Sequence, residues 1–300
     1  MNNLLLFTGA SGFIGNNILP NIKKTFHVDT LGKSNKNFYK YDLSREIPIL
    51  TKRYNIILHA AGMAHNISKT KDQIEKIYNV NYIGTKNLCA SLEKVGIPEA
   101  FIFISSVSVY GCVYGELINE DYPLLGKSPY AKSKIMAEKY LQEWSKKNNV
   151  TLTIIRPSLL AGKNPKGNLG YMVKAISRGL YFSIDGGKAR KSIAMVEDIA
   201  RIIPLCIYKG GIYNLCDDYN PTIREIENTI AKQLEKKILI NIPINIANAM
   251  AKLGDILGPY APLNSEKLIK LTNSLTFSNE KIKRQLNFQP LDVLSNFKIK

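Results

Sequence analysis

The sequence contains no long uninterrupted hydrophobic run. A membrane-spanning helix needs about 18 or more consecutive apolar residues, and the best candidate, residues 199–215, is broken by Arg201, Pro204 and Lys209. The first residues, Met1-Asn2-Asn3, lead directly into an apolar segment without the basic leader and small-residue cleavage site of a signal peptide. We therefore expect no membrane span and a cytoplasmic location.

Cysteine and histidine are also scarce. The four cysteines show no CxxC spacing and the three histidines form no metal-binding pattern; they are Cys89, Cys112, Cys206, Cys216, His27, His59 and His65. Zinc sites and redox-active cysteine pairs depend on such spacings. The sequence therefore predicts a reduced protein that holds no metal.

Acidic residues are few compared with basic ones. The chain has 41 Lys and Arg against 24 Asp and Glu, a net charge of +17. The lysines are scattered, as in residues 33–37, and no arginine stripe or alternation of aromatic and basic residues indicates nucleic-acid binding. Two interpretations stay open: a lysine-rich solvated surface, or a general attraction to anionic substrates or an anionic membrane face.

Short apolar runs alternate with helical patterns through the first half. Strands are predicted at residues 4–7, 28–31, 55–59, 101–105 and 151–155, and helices at residues 13–24, 82–95 and 133–147. This alternation predicts an α/β fold with a doubly wound parallel sheet of the Rossmann type. We expect a first domain at residues 1–162, to which residues 193–215 return, and a smaller C-terminal lobe made of residues 163–192 and 216–300.

A glycine-rich turn separates the first predicted strand from the first helix. Its glycines are Gly9, Gly12 and Gly15, in the segment Thr8-Gly-Ala-Ser-Gly-Phe-Ile-Gly15. Glycine permits a tight turn, a close approach of backbone to pyrophosphate and close packing of helix on sheet, and the helix N-terminus favours phosphate. In this position the triplet predicts a dinucleotide site.

A second motif combines Tyr130 and Lys134 on one face of a helix. A phenol has a pKa of about 10, and a nearby ammonium lowers that pKa, so the tyrosine can exchange a proton with an alcohol or sugar oxygen. Ser106 follows a buried strand, at the edge where parallel sheets bind ligands, and its hydroxyl can donate to the same oxygen. For Ser105 and Ser108 we expect only hydrogen bonds to turn backbone.

These motifs occur in the order typical of extended short-chain dehydrogenases/reductases, and the chain resembles their nucleotide-sugar epimerase/dehydratase/reductase branch. The similar segments are the glycine turn, residues 59–62, 81–85, 105–111 and 130–134, and Arg156-Pro157. The resemblance implies that Ser106, Tyr130 and Lys134 are catalytic and that Asn81 is structural. The cofactor-binding set that it implies is Gly9, Ser11, Gly12, Phe13, Ile14, Gly15, Gly32, Lys33, Asp42, Leu43, Ala60, Ala61, Gly62, Tyr130, Lys134 and Pro157.

The second half resembles the substrate-binding part of the same branch, which serves polysaccharide biosynthesis. Residues 166–169 and 190–198 are similar to the loop and the basic segment that embrace a nucleoside diphosphate, and residues 275–290 to the closing segment. Ser106, Asn168, Arg190 and Lys191 are the expected substrate contacts, with Arg190 or Lys191 on the pyrophosphate; a solvated cluster is the alternative for Arg190 and Lys188. The expected substrate is a UDP-hexose, and a homodimer is a possible assembly.

The two residues after the strand serine narrow the chemistry. Dehydratases of this branch carry acidic side chains there, whereas this chain has Val107 and Ser108. Epimerisation at C4 or reduction of a 4-keto sugar therefore remain the leading hypotheses, and a dehydratase or a non-catalytic NAD(P)-sensing protein the alternatives. The expected cofactor is NAD or NADP. NAD enzymes have an acidic residue at the end of the second strand, where this chain has Gly32 followed by Lys33, and this difference favours NADP. The alternative is a different strand register, in which Asp29 holds the ribose of NAD.

Overall fold

The computed structural model describes residues 4–64, 70–238, 240–258, 261 and 263–299. Met1–Asn3 and His65, on which the expectations of no leader and no metal pattern partly rest, lie outside the described residues. Within those residues, no helix has both the length and the apolar character that crossing a bilayer requires.

A seven-stranded parallel sheet forms the centre of the molecule. Its strands are β1 (Leu4–Thr8), β2 (His27–Gly32), β3 (Tyr39–Lys40), β4 (Ile56–His59), β5 (Ala100–Ile104), β7 (Thr151–Pro157) and β11 (Gly211–Leu215). The spatial order β11-β7-β5-β4-β1-β2-β3 reverses direction beside β1, as in a doubly wound sheet. The predicted α/β class is confirmed.

Helices cover both faces of this sheet. In chain order they are α1 (Phe13–Ile22), α2 (Lys71–Tyr78), α3 (Gly84–Val95), α4 (Pro129–Asn148), α5 (Gly167–Ser177), α6 (Glu197–Cys206), α7 (Ile223–Gln233), α8 (Ile244–Leu257), α9 (Ser265–Thr272), α10 (Glu280–Leu286) and α11 (Val293–Asn296). Alternate residues of β1 face opposite layers: Leu5 and Phe7 pack with α1 and α6, and Leu6 packs with α3 and α4. A strand buried on both faces must be almost wholly apolar, which explains the unbroken runs.

Two helix boundaries differ from the prediction. The helix expected from Ser133 begins at Pro129, because Ser128 caps it by accepting a hydrogen bond from the Ala131 amide (3.1 Å) and proline fits the first helical position. The helix expected from Tyr82 is α3, which starts at Gly84 and follows a π-helical turn at Asn79–Ile83. Helix α2 was not predicted; it is short and mostly polar, and its apolar stripe is limited to Ile74, Ile77 and Tyr78, of which Ile77 alone is fully buried.

Six short strands pair outside the central sheet. They are β6 (Gly115–Ile118) with β13 (Leu275–Phe277), β8 (Leu159–Ala161) with β10 (Ile193–Met195), and β9 (Ser183–Ile184) with β12 (Asn241–Ile242). Each pair joins segments that are far apart in sequence. In the segment expected to return to the first domain, β11 is a strand of the central sheet and β10 is not.

Candidate active site

The site is built where strands β1, β4, β5 and β7 end, at one edge of the sheet. Gly9 follows β1, Ala60 follows β4, Ser106 lies just beyond β5, and Pro157 ends β7. Because all four strands are parallel, their carboxyl ends share this edge, where open α/β sheets bind ligands. The fold therefore brings the predicted cofactor-binding and catalytic segments together.

Close backbone packing explains the glycines of the first turn. Gly9 has φ +85°, and a Cβ there would lie 2.6 Å from the Ala61 nitrogen and 2.7 Å from the Ala60 oxygen. At Gly15 a Cβ would lie 2.2 Å from the Ala10 oxygen. Gly12 caps α1, and its amide donates to the Gly9 oxygen (3.0 Å). This glycine-lined backbone at a helix N-terminus fits the pyrophosphate of a dinucleotide.

The other predicted cofactor-binding residues of this turn, and those of the loop after β4, differ in their exposure to solvent. Ser11 is exposed, Phe13 and Ile14 are half-buried at the start of α1, and Ala60 and Ala61 are half-buried in the next loop. A Cβ on exposed Gly62 would lie 3.3 Å from both the Asn81 Oδ1 and the Lys134 Nζ. The loop after β4 therefore passes directly beside the Lys134 ammonium.

Ser106, Tyr130 and Lys134 meet between β5 and α4. The Ser106 hydroxyl accepts a hydrogen bond from the Ser108 amide (3.1 Å) and donates to the Ser108 hydroxyl (3.1 Å), and the Tyr130 hydroxyl lies beside it. Burial raises the pKa of Tyr130, and the Ser106 hydrogen bond partly offsets that rise. The three predicted catalytic side chains thus share one corner of the site.

Lys134 is buried, and its ammonium donates to the Ile104 carbonyl oxygen (2.8 Å) and lies 4.5 Å from the centre of the Phe103 ring. Burial lowers its pKa to about 8, and the Glu138 charge opposes that shift. A cation at this position has the charge needed to stabilise a nearby phenolate.

A buried polar network, which the sequence did not predict, lies beneath the catalytic residues. The Glu138 carboxylate is fully buried and binds Arg156 through two contacts, at 2.6 and 3.2 Å. Arg156 also donates to the Tyr110 hydroxyl (3.0 Å), which donates to Asn214 (2.7 Å). The Ser105 hydroxyl donates to Glu138; the expectation that it would bond turn backbone was wrong, because this side chain is buried against the Glu138 carboxylate.

His59 fixes the loop after β4 through a second chain of hydrogen bonds. The Thr85 hydroxyl donates to the Asn81 carbonyl (2.7 Å), so it must accept from His59 Nε2 (2.9 Å). His59 Nδ1 then accepts from the Thr8 hydroxyl (2.6 Å), which in turn accepts from the Ala61 amide (3.3 Å). Burial, aided by the Lys134 charge, lowers the pKa of His59 to about 3, so the ring is neutral.

Asn81 is fully buried in the π-helical turn and binds both backbone groups of Met63, at 2.7 and 3.1 Å. Its amide also donates to the Ser133 hydroxyl (2.9 Å). The two contacts with Met63 join the loop after β4 to the π-helical turn, and the third joins that turn to α4.

At the end of β2 the structure places Gly32, and Lys33 follows it. The Lys33 ammonium is 2.9 Å from the Asp42 carboxylate. Burial alone would raise the pKa of Asp42. The hydrogen bonds from Ser44 and Lys33 together outweigh burial, so the pKa of Asp42 is lower than its usual value. Asp29 lies in mid-strand and binds the Tyr54 hydroxyl (2.6 Å) and Lys52 (2.8 Å), which places its carboxylate away from the carboxyl end of β2.

The other predicted cofactor and substrate residues have varied surroundings. Leu43 is buried near Gly84, and Pro157 is buried. Arg190 is exposed and donates to the Asn220 carbonyl (2.8 Å), whereas Lys191 is half-buried and donates to the Asn273 carbonyl (2.7 Å). Burial lowers the pKa of Lys191 to about 8. Asn168 is exposed on a different element, the first turn of α5.

Comparisons with known proteins agree with this geometry. The model of the NAD dependent epimerase/dehydratase family matches residues 5–216. The N-acetyl-alpha-D-glucosaminyl-diphospho-ditrans,octacis-undecaprenol 4-epimerase of Escherichia coli O157:H7 is 31% identical over 252 residues, 79% of this chain and 74% of that protein. The UDP-glucose 4-epimerase of Vibrio cholerae is 26% identical over 97% of this chain and 92% of its own length.

The fold agrees with solved structures as well. The UDP-glucose 4-epimerase of Thermotoga maritima, solved with UDP-glucose, superposes with a TM-score of 0.75 at 19% identity, covering 97% of this chain and 94% of that one. The family match spans more than half of the chain and includes the glycine turn, Ser106, Tyr130 and Lys134. The chain belongs to the NAD dependent epimerase/dehydratase family and is an NAD(P)-dependent enzyme of the extended short-chain dehydrogenase type.

Proposed function

We propose that this enzyme is a 4-epimerase that inverts the C4 hydroxyl of a hexose carried on a diphosphate, with a UDP-hexose as the expected substrate. The observation that carries the proposal is the arrangement of Ser106, Tyr130 and Lys134 beside β5, with Val107 and Ser108 in the positions where elimination needs acidic groups. The named 4-epimerases among its relatives support it. Retention of Tyr130 and Lys134 argues against a non-catalytic sensing role.

Each catalytic side chain then has one task. Tyr130 takes the proton from the C4 hydroxyl and later returns one to the same oxygen, and Ser106 donates a hydrogen bond to that oxygen. The Lys134 ammonium favours the phenolate of Tyr130 by its charge. The bound nicotinamide dinucleotide supplies the acceptor and donor of the C4 hydride.

The diphosphate of the substrate is proposed to bind to the smaller lobe, which consists of residues 163–192 and 216–300. Arg190 and Lys191 are adjacent and cationic, and Arg190 is exposed. Lys191 donates to a neutral carbonyl and forms no ion pair with a carboxylate of the described residues. Its ammonium is therefore available to pair with a phosphate. Asn168 supplies a third, neutral contact.

For the cofactor we infer that NADP(H) is accepted at least as well as NAD(H). Gly32 leaves no carboxylate to repel a 2′-phosphate, and Lys33 is 58% exposed in its pair with Asp42. An exposed ion pair contributes only about 0–1 kcal/mol, so a phosphate can compete for the ammonium. This feature also favours the second candidate function, reduction of a 4-keto sugar by exchangeable NADPH.

The test is to identify the copurifying nucleotide and to follow product configuration by proton NMR. UDP-glucose, UDP-N-acetylglucosamine, a polyprenol-diphosphate N-acetylglucosamine and a nucleotide-linked 4-keto sugar would each be incubated without and with NAD(P)H. Inversion at C4 with no net consumption of cofactor supports epimerisation. Stoichiometric oxidation of NADPH by a 4-keto sugar, with no inversion of any hexose, would refute it in favour of the reductase.

A further inference from the structure

Helix α8 has three faces with different chemistry. Its buried face consists of the small residues Ala247, Ala251 and Gly254. Its polar face carries Asn248, Lys252 and Asp255. Its third face exposes large apolar side chains in a helical stripe: Ile246, Met250, Leu253, Ile256 and Leu257. Amphipathic helices of globular proteins normally bury the large residues, so this helix has the reverse arrangement.

The exposure of the stripe is extensive and is fixed by packing. Leu253, Ile256 and Leu257 are 63%, 83% and 75% exposed. A Cβ on Gly254 would lie 1.8 Å from the Leu263 oxygen, so the opposite side of α8 is pressed against the chain. The helix cannot rotate the stripe inward, because no larger residue fits on the buried side. An exposed patch of this kind indicates a binding surface.

The charge around the stripe indicates what binds there. Between residues 232 and 270 the sequence has six lysines and three acidic residues. Exposed lysines include Lys236 and Lys237, which precede β12, and Lys252, which lies on α8 itself. An exposed apolar stripe, with lysines in the segment that leads to it and a net charge of +17 on the whole chain, fits the interface of an anionic membrane.

We propose that α8 docks this enzyme onto an anionic membrane surface, with the stripe in the interface and the flanking lysines at the lipid phosphates. The 14-residue helix is about 21 Å long, too short to span the bilayer's ~30 Å hydrocarbon core, so it lies on the surface. A second copy of the chain fits less well, because two identical faces with excess lysines repel each other.

The position of α8 relates this surface to the active site. Helix α8 packs against α9, and α9 leads directly to Asn273, whose carbonyl binds Lys191. If the proposed function is correct, on which this step rests, the docked helix brings the diphosphate end of the site close to the membrane. A sugar diphosphate carried on a lipid would then reach the site from the bilayer.

Cosedimentation of the full chain with vesicles tests the surface without any need for turnover. Vesicles of phosphatidylglycerol and phosphatidylcholine are compared with vesicles of phosphatidylcholine alone. Binding to the anionic vesicles is expected, weakening as salt is raised. The double variant Leu253→Ser/Ile256→Ser is expected to lose about tenfold or more in partitioning. The matched control Ile49→Ser/Leu180→Ser alters two similarly exposed residues elsewhere and keeps the parent's binding.

Three outcomes would overturn the proposal: no binding of the parent to anionic vesicles, unchanged binding of the α8 variant, or a shift of that variant from dimer to monomer on sizing, which would assign the stripe to a second copy. Both double variants change exposed side chains only, so their melting temperatures and their activity on soluble substrate stay near the parent's. If only the proposed function is wrong, the protein still binds anionic vesicles but does not turn over the sugar substrates.

Discussion

Lys134 and Glu138 lie one helical turn apart and are both buried, yet each is held by a different part of the chain. The Lys134 ammonium donates to the Ile104 carbonyl (2.8 Å), whereas the Glu138 carboxylate binds Arg156 (2.6 Å). Glu138 therefore acts on Lys134 through charge, by raising a pKa that burial has lowered to about 8. We regard Glu138 as a positioning residue for the proposed proton transfer.

Glu138→Gln should move the alkaline limb of kcat/KM to lower pH. The Lys134 ammonium loses its proton as pH rises through about 8, and removing the nearby negative charge lowers that pKa further. Exposed Glu143→Gln, on the same helix, is the control and should leave the limb in place. The single variant leaves Arg156 without its counter-charge, which costs about 3–5 kcal/mol of stability. If it unfolds, the double variant Glu138→Gln/Arg156→Met is measured in its place. An unmoved limb in a folded variant contradicts the role.

Tyr130→Phe should lower kcat by two or more orders of magnitude while cofactor affinity stays near the parent's. A single proton-transfer group typically contributes ~10² to 10⁴-fold, and the phenyl ring keeps the packing. Stopped assays of sugar turnover and fluorescence titration of NADPH measure the two quantities. A kcat within threefold of the parent's would exclude Tyr130 as the acid/base.

Lys191→Met should raise KM for the sugar diphosphate much more than it lowers kcat, because a phosphate contact contributes equally to ground and transition states. In the parent, KM should also rise as pH passes about 8, where Lys191 loses its charge. The exposed neighbour Lys188→Met is the matched control. A fall in kcat at unchanged KM would remove Lys191 from the diphosphate site.

Lys33→Met should weaken NADP(H) binding and leave NAD(H) binding almost unchanged, because only NADP carries the 2′-phosphate. Titrations of both cofactors at equal ionic strength measure the effect, with exposed Lys24→Met as the control. NAD(H) binding that is tenfold tighter than NADP(H) binding in the parent would show that the Gly32-Lys33 interpretation is wrong.

His59 should make the fold sensitive to acid. Its folded pKa is about 3, against about 6.5 when unfolded, so the unfolded chain binds more protons between these values. Stability is therefore lost as pH falls from 6.5 towards 3, by up to ~1.4 kcal/mol per pH unit. Asp198, with a pKa raised to about 6 by burial, acts in the opposite direction. The contribution of His59 is measured from the unfolding free energies of the parent, His59→Gln and the exposed control His27→Gln at pH 5 and 7. Only His59→Gln should reduce the dependence of the unfolding free energy on pH.

The sequence was most informative where structure is local. The glycine turn, the buried strands and the Tyr130/Lys134 spacing depend on neighbours within a few residues, so pattern alone placed them at the sheet edge. The network beneath them is different: Glu138 binds Arg156, and Arg156 reaches Tyr110 and, through it, Asn214. No local pattern pairs residues this far apart. The available signals were Arg156, within the Arg156-Pro157 motif, and Glu138, an acidic residue on the buried face of α4, one turn after Lys134.

The substrate side was predicted less completely, for the same reason. The basic segment at Arg190 and Lys191 was visible in the sequence, but the carbonyl of Asn273 that holds Lys191 lies 82 positions away. The exposed stripe of α8 follows a helical period, yet periodicity cannot tell which face of a helix is buried. Here the small residues face inward, and only packing shows that.

The pairing of β13 with β6 determines the order in which the site is completed during synthesis. Residues 273–278 hold Lys191, donate to the Arg190 carbonyl and bond Ile118. The ribosome makes Tyr130 and Lys134 about 140 residues earlier, a delay of roughly 7–28 s at ~5–20 residues per second. During that interval the emerging chain can form the corner of Ser106, Tyr130 and Lys134, while Lys191 still lacks the Asn273 carbonyl that holds it. A translation product that stops short of residue 273 would therefore retain the glycine turn but would lack the carbonyl that holds Lys191.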